Sequence, residues 1–167
     1  MSQTLPFAQL HDKALEIMSK GCFLNSFAEG KFNTMTIGWG SIGWMWGIPE
    51  FTVMVRRTRY TRELMEKNPF FTVSLPYQRD MSKALGICGT KSGRDCDKMA
   101  LAGLKTKPAK KVSVPIIDGT GMHFECEVVY KQDMDSSLLA PELQKKWYSN
   151  NDYHTMYYGK IVDAYIE

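Results

Sequence analysis

The sequence predicts a mainly β domain, an antiparallel barrel with inserted helices. Three observations carry that expectation. Short apolar runs of strand composition outnumber helical stripes, glycine-bearing turns of hairpin length join several of them, and no regular β-α-β alternation appears that would favour a doubly wound parallel sheet. The 167 residues, 44% hydrophobic and 23% charged, suffice for one well-buried core and are few for two, so a single domain over 1–167 is expected.

Taken in order, Phe7 to Lys20 reads as a helix, because Leu10, Ala14, Leu15, Ile17 and Met18 share one apolar stripe and Gly21 stands where a helix ends. Cys22 to Phe27 and Phe32 to Ile37 read as a hairpin across Ala28 to Lys31, whose Gly30 suits a tight turn. Phe51 to Val55 is an almost wholly apolar strand that begins after Pro49, a residue unable to donate to a central ladder. A helix follows with Thr58 as N-cap and Asn68-Pro69 as its stop, and Phe70 to Leu75 is the next strand. Asp80 caps a helix that runs to Cys88 and stops at Gly89, and a second short helix lies around Cys96 to Ala102, with Asp95 as the expected cap of the connection. Val112 to Ile117 and His123 to Tyr130 pair across a glycine-rich turn, Ser136 to Trp147 is helical, and Tyr157 to Ile166 is the last strand.

The formal charge of +3 does not demand a nucleic-acid partner, although clustered arginines can still hold a small anion. Met1 to Pro6 lacks a basic segment leading into an apolar one, and no run approaches the roughly 18–20 apolar residues that span a bilayer, so a cytoplasmic protein without a membrane partner is expected. Cys22, Cys88, Cys96 and Cys126 contain no Cys-x-x-Cys pair and are widely spaced, which fits reduced cysteines and no metal site.

The chemistry concentrates between Asn33 and Thr61. Trp39, Trp44 and Trp46 fall within eight residues there, and Arg56, Arg57, Arg59 and Arg62 follow the Phe51 to Val55 strand. A strand, a turn and the first turn of a helix offer unsatisfied N–H groups to phosphate. At that junction Arg56 and Arg59 add guanidinium forks, and Tyr60 and Thr61 add neutral hydroxyl donors. The competing reading is a solvated arginine cluster beside a helix cap. Upstream, Asn33, Thr34, Met35 and Thr36 set short polar groups and main-chain amides where a flat heterocycle could approach, with Met35 or a tryptophan face for its apolar edge. Core packing or a subunit interface is the expectation for Trp44 and Trp46. Ser92 and Lys98, between two helices, could form a second polar arm, but no P-loop is present because Thr90 separates Gly89 from Lys91. His154 and Tyr157 are candidates for a reactant pocket, against aromatic packing at a sheet edge.

Together these segments resemble the flavin reductase-like family of the FMN-binding split barrel, in its flavoredoxin-like branch. The resemblance rests on Lys20-Gly21-Cys22-Phe23-Leu24, on Asn33 to Gly40, on Val53-Met54-Val55-Arg56 with Arg59-Tyr60-Thr61, on Ser92 to Asp95 with Asp97-Lys98, and on Tyr158 to Val162. It implies a homodimer with non-covalent FMN, Asn33 to Thr36 against the ring or ribityl chain, and Arg56, Tyr60 and Thr61 on the phosphate. Asp118 to Met122 departs from the pattern in being richer in glycine. The resemblance implies either an NAD(P)H-dependent flavin reductase or an electron carrier reduced by a redox-protein partner, and it marks Trp147 to Tyr158 as the region controlling access. Because the hydride chemistry belongs to the flavin, no catalytic side chain is obligatory. A barrel binding single-stranded nucleic acid through tryptophans and arginines ranks below both.

Overall fold

The computed structural model describes residues 3–4 and 9–167. Among the described residues ten strands and five α-helices follow one another as β1 (Gln3–Thr4), α1 (His11–Met18), β2 (Cys22–Ala28), β3 (Lys31–Ile37), β4 (Gly40–Met45), β5 (Ile48–Arg56), α2 (Tyr60–Met65), β6 (Phe70–Pro76), α3 (Ser82–Thr90), α4 (Lys98–Ala102), β7 (Thr106–Lys107), β8 (Ile116–Ile117), β9 (Gly121–Asp133), α5 (Pro141–Trp147) and β10 (His154–Ile166). Among the described residues no helix is long and apolar enough to cross a membrane. Phe7 and Ala8, the first residues of the expected opening helix, lie outside the described residues, and α1 itself begins at His11.

The main sheet is antiparallel, in the order β3-β2-β6-β9-β10-β5-β4, with β1 on the far end of β10. It curls round one core, in which Leu24, Met35, Val53, Val73, Phe124 and Tyr157 meet Leu10, the N-cap residue of α1, and Ala14 within it. The curl comes from β9 and β10, thirteen residues each, whose register shifts at Tyr158/Gly159 and Ile161/Asp163. Such bulges bend a strand and sharpen its twist. The first half of β9 therefore pairs with β6 while its second half pairs with β10 alone, and the first half of β10 crosses to β5. Gly159 sits at this bend because a Cβ there would lie 2.4 Å from the buried Phe71 ring. The strand β2 is covered on both faces: Cys22 and Leu24 enter the main core, and Phe23 joins Ala84 and Cys88 of α3 in a second cluster.

Both hairpins close with two-residue turns at positive φ, Glu29-Gly30 and Trp46-Gly47, the turn geometry that matches the twist of paired strands. The second hairpin, β4 with β5, was not expected from composition as a strand pair. It leaves Trp44 and Trp46 64% and 62% exposed, so core packing does not account for either ring.

Several expected caps move. Thr58 does not cap α2: its hydroxyl donates to Asp152 Oδ2 at 2.7 Å, and Arg59 occupies the N-cap position. Asp80 accepts from Ser82 N one residue ahead of the cap, Met81. Gly89 does not stop α3, which runs to Thr90; a Cβ at Gly89 would meet Thr36 at 3.3 Å, so this glycine serves the close approach of α3 to β3. Asp97, not Asp95, caps α4 by accepting from Ala100 N at 3.0 Å.

Val112 to Ile117 does not pair with β9. Only Ile116–Ile117 is extended, against Thr106–Lys107. The amides of Lys110, Lys111 and Val112 instead donate to the Glu125 carboxylate, which also accepts from the Tyr165 hydroxyl. Backbone donors satisfied by a carboxylate are withdrawn from any ladder.

Candidate functional site

The end of β5 and the turn after it build one wall of a cleft. Strand alternation sends Val53 and Val55 into the core and turns Met54 and Arg56 outward. Arg59 N then donates to Arg56 O at 3.0 Å, closing the turn that delivers Arg59, Tyr60 and Thr61. Opposite stands β3, and the segment from Thr90 to Lys98 forms the rim.

Two adjoining cavities share Met35, Arg56 and Arg59. The polar one, about 480 Å³, also includes Asn33, Tyr60, Thr61, Ser92 and Lys98. The aromatic one, about 200 Å³, includes Thr36, Trp39, Met54, Trp147 and His154. Thr34 lies behind, 1% exposed, on a third cavity of about 280 Å³ that also touches Asn33, Tyr60 and Lys98. Eleven of the residues singled out from sequence thus gather round one cleft and its back wall. Tyr157 does not: its ring is buried in the barrel core and its hydroxyl donates to Glu66 Oε1 at 2.7 Å. The arginine run divides too, since Arg57 and Arg62 turn to Asp133.

The electrostatics of the polar cavity favour an anion. Arg56 donates to the carbonyls of Asp152 and Trp147, at 2.6 and 3.1 Å; Arg59 donates to the Gly89 carbonyl at 3.1 Å; Lys98, only 5% exposed, donates to the Cys88 carbonyl at 3.3 Å. No carboxylate neutralises any of the three among the described residues. Asp152 does line the cavity, but its carboxylate accepts from Thr58. Burial pulls the Lys98 amine below its ordinary pKa, and nearby Arg59 adds to the effect while Cys88 opposes it. Arg94, on the rim, is held by Glu63 and the Thr58 carbonyl.

Neutral donors are set with equal care. Asn33 Nδ2 donates to Thr61 Oγ1 at 2.8 Å, tying β3 to α2 across the cleft. A Cβ on Gly93 would come within 2.2 Å of Asn33 Oδ1, so only glycine lets the rim approach this closely. The Thr34 hydroxyl is buried and has no hydrogen-bond partner among the described residues. At the aromatic end Trp39 meets Trp147 edge-on at 4.9 Å and His154 at 5.5 Å. His154 lies 2.7 Å from the Tyr148 hydroxyl through Nδ1. Burial first, and Arg56 next, lower its pKa to about 4, so the ring is neutral near pH 7. Sequence reasoning passed over Trp147 and Asp152 as site residues; the polar stretch before β10 was read only as an access region, and their placement depends on how α5 folds back.

The cleft therefore suits a phosphorylated ligand with a flat ring: uncompensated cations and hydroxyls at one end, a methionine and two indoles at the other. These features, on a curled antiparallel sheet, define the class of split-barrel cofactor-binding proteins. The chain belongs to the family of the flavin reductase like domain, whose family model it matches over residues 20–167. Three solved structures illustrate the relationship. The FMN-binding domain of a flavin reductases-like enzyme from Shewanella baltica OS155 is 16% identical, with a TM-score of 0.70 over 99% of this chain and 77% of that one. Flavoredoxin from Methanosarcina acetivorans is 27% identical, TM-score 0.67, over 88% and 68% respectively. Flavoredoxin of Desulfovibrio vulgaris (Miyazaki F) is 21% identical, TM-score 0.69, over 88% and 69%. No curated protein matches the chain.

Proposed function

We propose that the chain binds FMN in this cleft and acts as an NAD(P)H-dependent flavin reductase, passing a hydride to free flavin or another acceptor. The observation that carries the reading is the union of an uncompensated cationic cavity with an aromatic one through Met35, Arg56 and Arg59. Arg56, Arg59, Tyr60, Thr61, Ser92 and Lys98 hold the phosphate, and Asn33, Thr34, Met35 and Thr36 line the ribityl chain and ring. FMN supplies the hydride chemistry once bound. The chain's part is to bind, to orient and to exclude water. Trp39 and Trp147 shield the ring-side cavity, and neutral His154 presents an imidazole there without adding charge. The exposure of Trp44 and Trp46 supports a homodimer that uses the β4–β5 hairpin as a contact face.

Titration of the flavin-free chain with FMN, followed by flavin fluorescence, tests the binding step; absence of saturable uptake refutes it. Anaerobic stopped-flow mixing of the loaded protein with NADH and with NADPH tests the reductase step. A second reading, an electron carrier reduced by a protein partner, is favoured by the likeness to the Methanosarcina flavoredoxin. Reduction by neither nucleotide on a timescale of seconds selects it.

A further inference from the structure

A cavity separate from the cleft just described measures about 810 Å³ and lies between α1, the β6–α3 connection and α3. We propose that this second cleft binds an organic monoanion with a flat apolar body, the anionic group held by Lys13 and Arg79. Its floor is a seam between the two hydrophobic clusters: Ile17 and Tyr77 pack on the main core, Met81 and Leu85 on the smaller one, and all four remain half-buried. An apolar floor of this extent suits a ring of one or two fused cycles, because covering it removes hydrocarbon surface from water.

The rim sets the sign of the charge. Glu16 is paired with Lys20 at 3.5 Å, and Asp80 accepts from Ser82 N at 3.0 Å, which lowers its pKa. Asp80 therefore stays ionised, and the rim carries the cations Lys13, Lys20 and Arg79 against the carboxylates Glu16 and Asp80. Lys13 has no carboxylate partner among the described residues; its amine donates to the Tyr77 hydroxyl at 3.3 Å and stands 5.4 Å from that ring's centroid. Among the described residues Arg79 makes no ion pair or side-chain hydrogen bond, and it is exposed in the β6–α3 connection on the same cavity. Two cations over an apolar floor, one already aligned on an aromatic ring, select a ligand with a charged end and a hydrophobic end. Thr36 is the one residue lining both this cleft and the aromatic cavity, and its hydroxyl donates to Leu85 O at 2.6 Å, so it forms the wall between them.

The test is calorimetric titration of the FMN-saturated protein with 2-naphthoate and with 2-naphthamide, its neutral counterpart of equal shape. The expected result is binding of the naphthoate at least tenfold tighter than the amide, with flavin absorbance showing that FMN stays bound. Lys13→Gln and Arg79→Gln should each reduce that preference several-fold and leave FMN affinity unchanged. Equal affinity for the two probes, no binding, indifference to both substitutions, or release of FMN by the naphthoate would each overturn the proposal. Should the protein take up no flavin, the same titration on the flavin-free chain decides this inference separately from the flavin reading.

Discussion

Arg59 carries its charge into the cleft with the Gly89 carbonyl as its hydrogen-bonded partner, and so keeps donors for an arriving anion. Arg59→Gln should weaken FMN binding by roughly 10–100-fold, the range of a charge-assisted hydrogen bond, with little change in the denaturation midpoint; equilibrium fluorescence titration reads this. Gly93 acts through space, not charge. Gly93→Ala pushes against Asn33 and its bond to Thr61, so affinity should fall at least about tenfold while Arg59 and Lys98 remain in place; this is checked by the same titration. At this scale the sequence was informative about identity and poor about partners. Arg56, Tyr60 and Thr61 stood out because they cluster guanidinium and hydroxyl donors directly after an apolar strand. Nothing local marked Trp147, which reaches Trp39 only once α5 has packed against the cleft.

Among the elements, β10 matters most, since it pairs with β1, β5 and β9 and bends at Gly159. Adding one methyl there sets a Cβ against Phe71 and Cys126, both fully buried. Gly159→Ala should cost about 2–3 kcal/mol in urea-induced unfolding, the range for overpacking a closed core. Strands such as β2, β5 and β6 were legible because each carries a short apolar cluster, Cys22-Phe23-Leu24, Val53-Met54-Val55 and Phe70-Phe71. The strand β4 was not, since Gly40, Ser41 and Gly43 give it no such cluster and Trp44 faces outward. Nor was the stretch before β8 legible, for its amides answer to Glu125, a residue 13–15 positions away.

For the whole molecule the clearest prediction concerns acid. His123 is fully buried between Ser74, 3.1 Å from Nδ1, and Glu167, 3.4 Å from Nε2, with Lys107, Glu125 and Tyr165 around it. Burial is the main cause that holds its pKa near 4, below the ordinary 6.5. A histidine with a depressed folded pKa stabilises fully above its unfolded value and loses that contribution as pH falls from about 6.5 towards 4. About 3 kcal/mol is at stake for a shift of this size. Urea titrations at pH 7 and pH 4.5 should show a smaller acid loss in His123→Gln than in the parent chain; an equal loss refutes the assignment. The curled antiparallel architecture was readable from sequence because hairpin turns and missing β-α-β alternation are global signals. The order in which β9 and β10 exchange partners was not, because bulges leave no compositional mark.

The carbonyl-held cations of the cleft also bear on how much folded protein a cell keeps. The charge of Arg59 disfavours that of buried Lys98, and a bound phosphate group would offset this repulsion. A ligand that binds only the folded state stabilises it in proportion to the logarithm of its free concentration over Kd. Abundance of the intact protein should then track supply of its ligand, with the unliganded fraction cleared first by proteolysis.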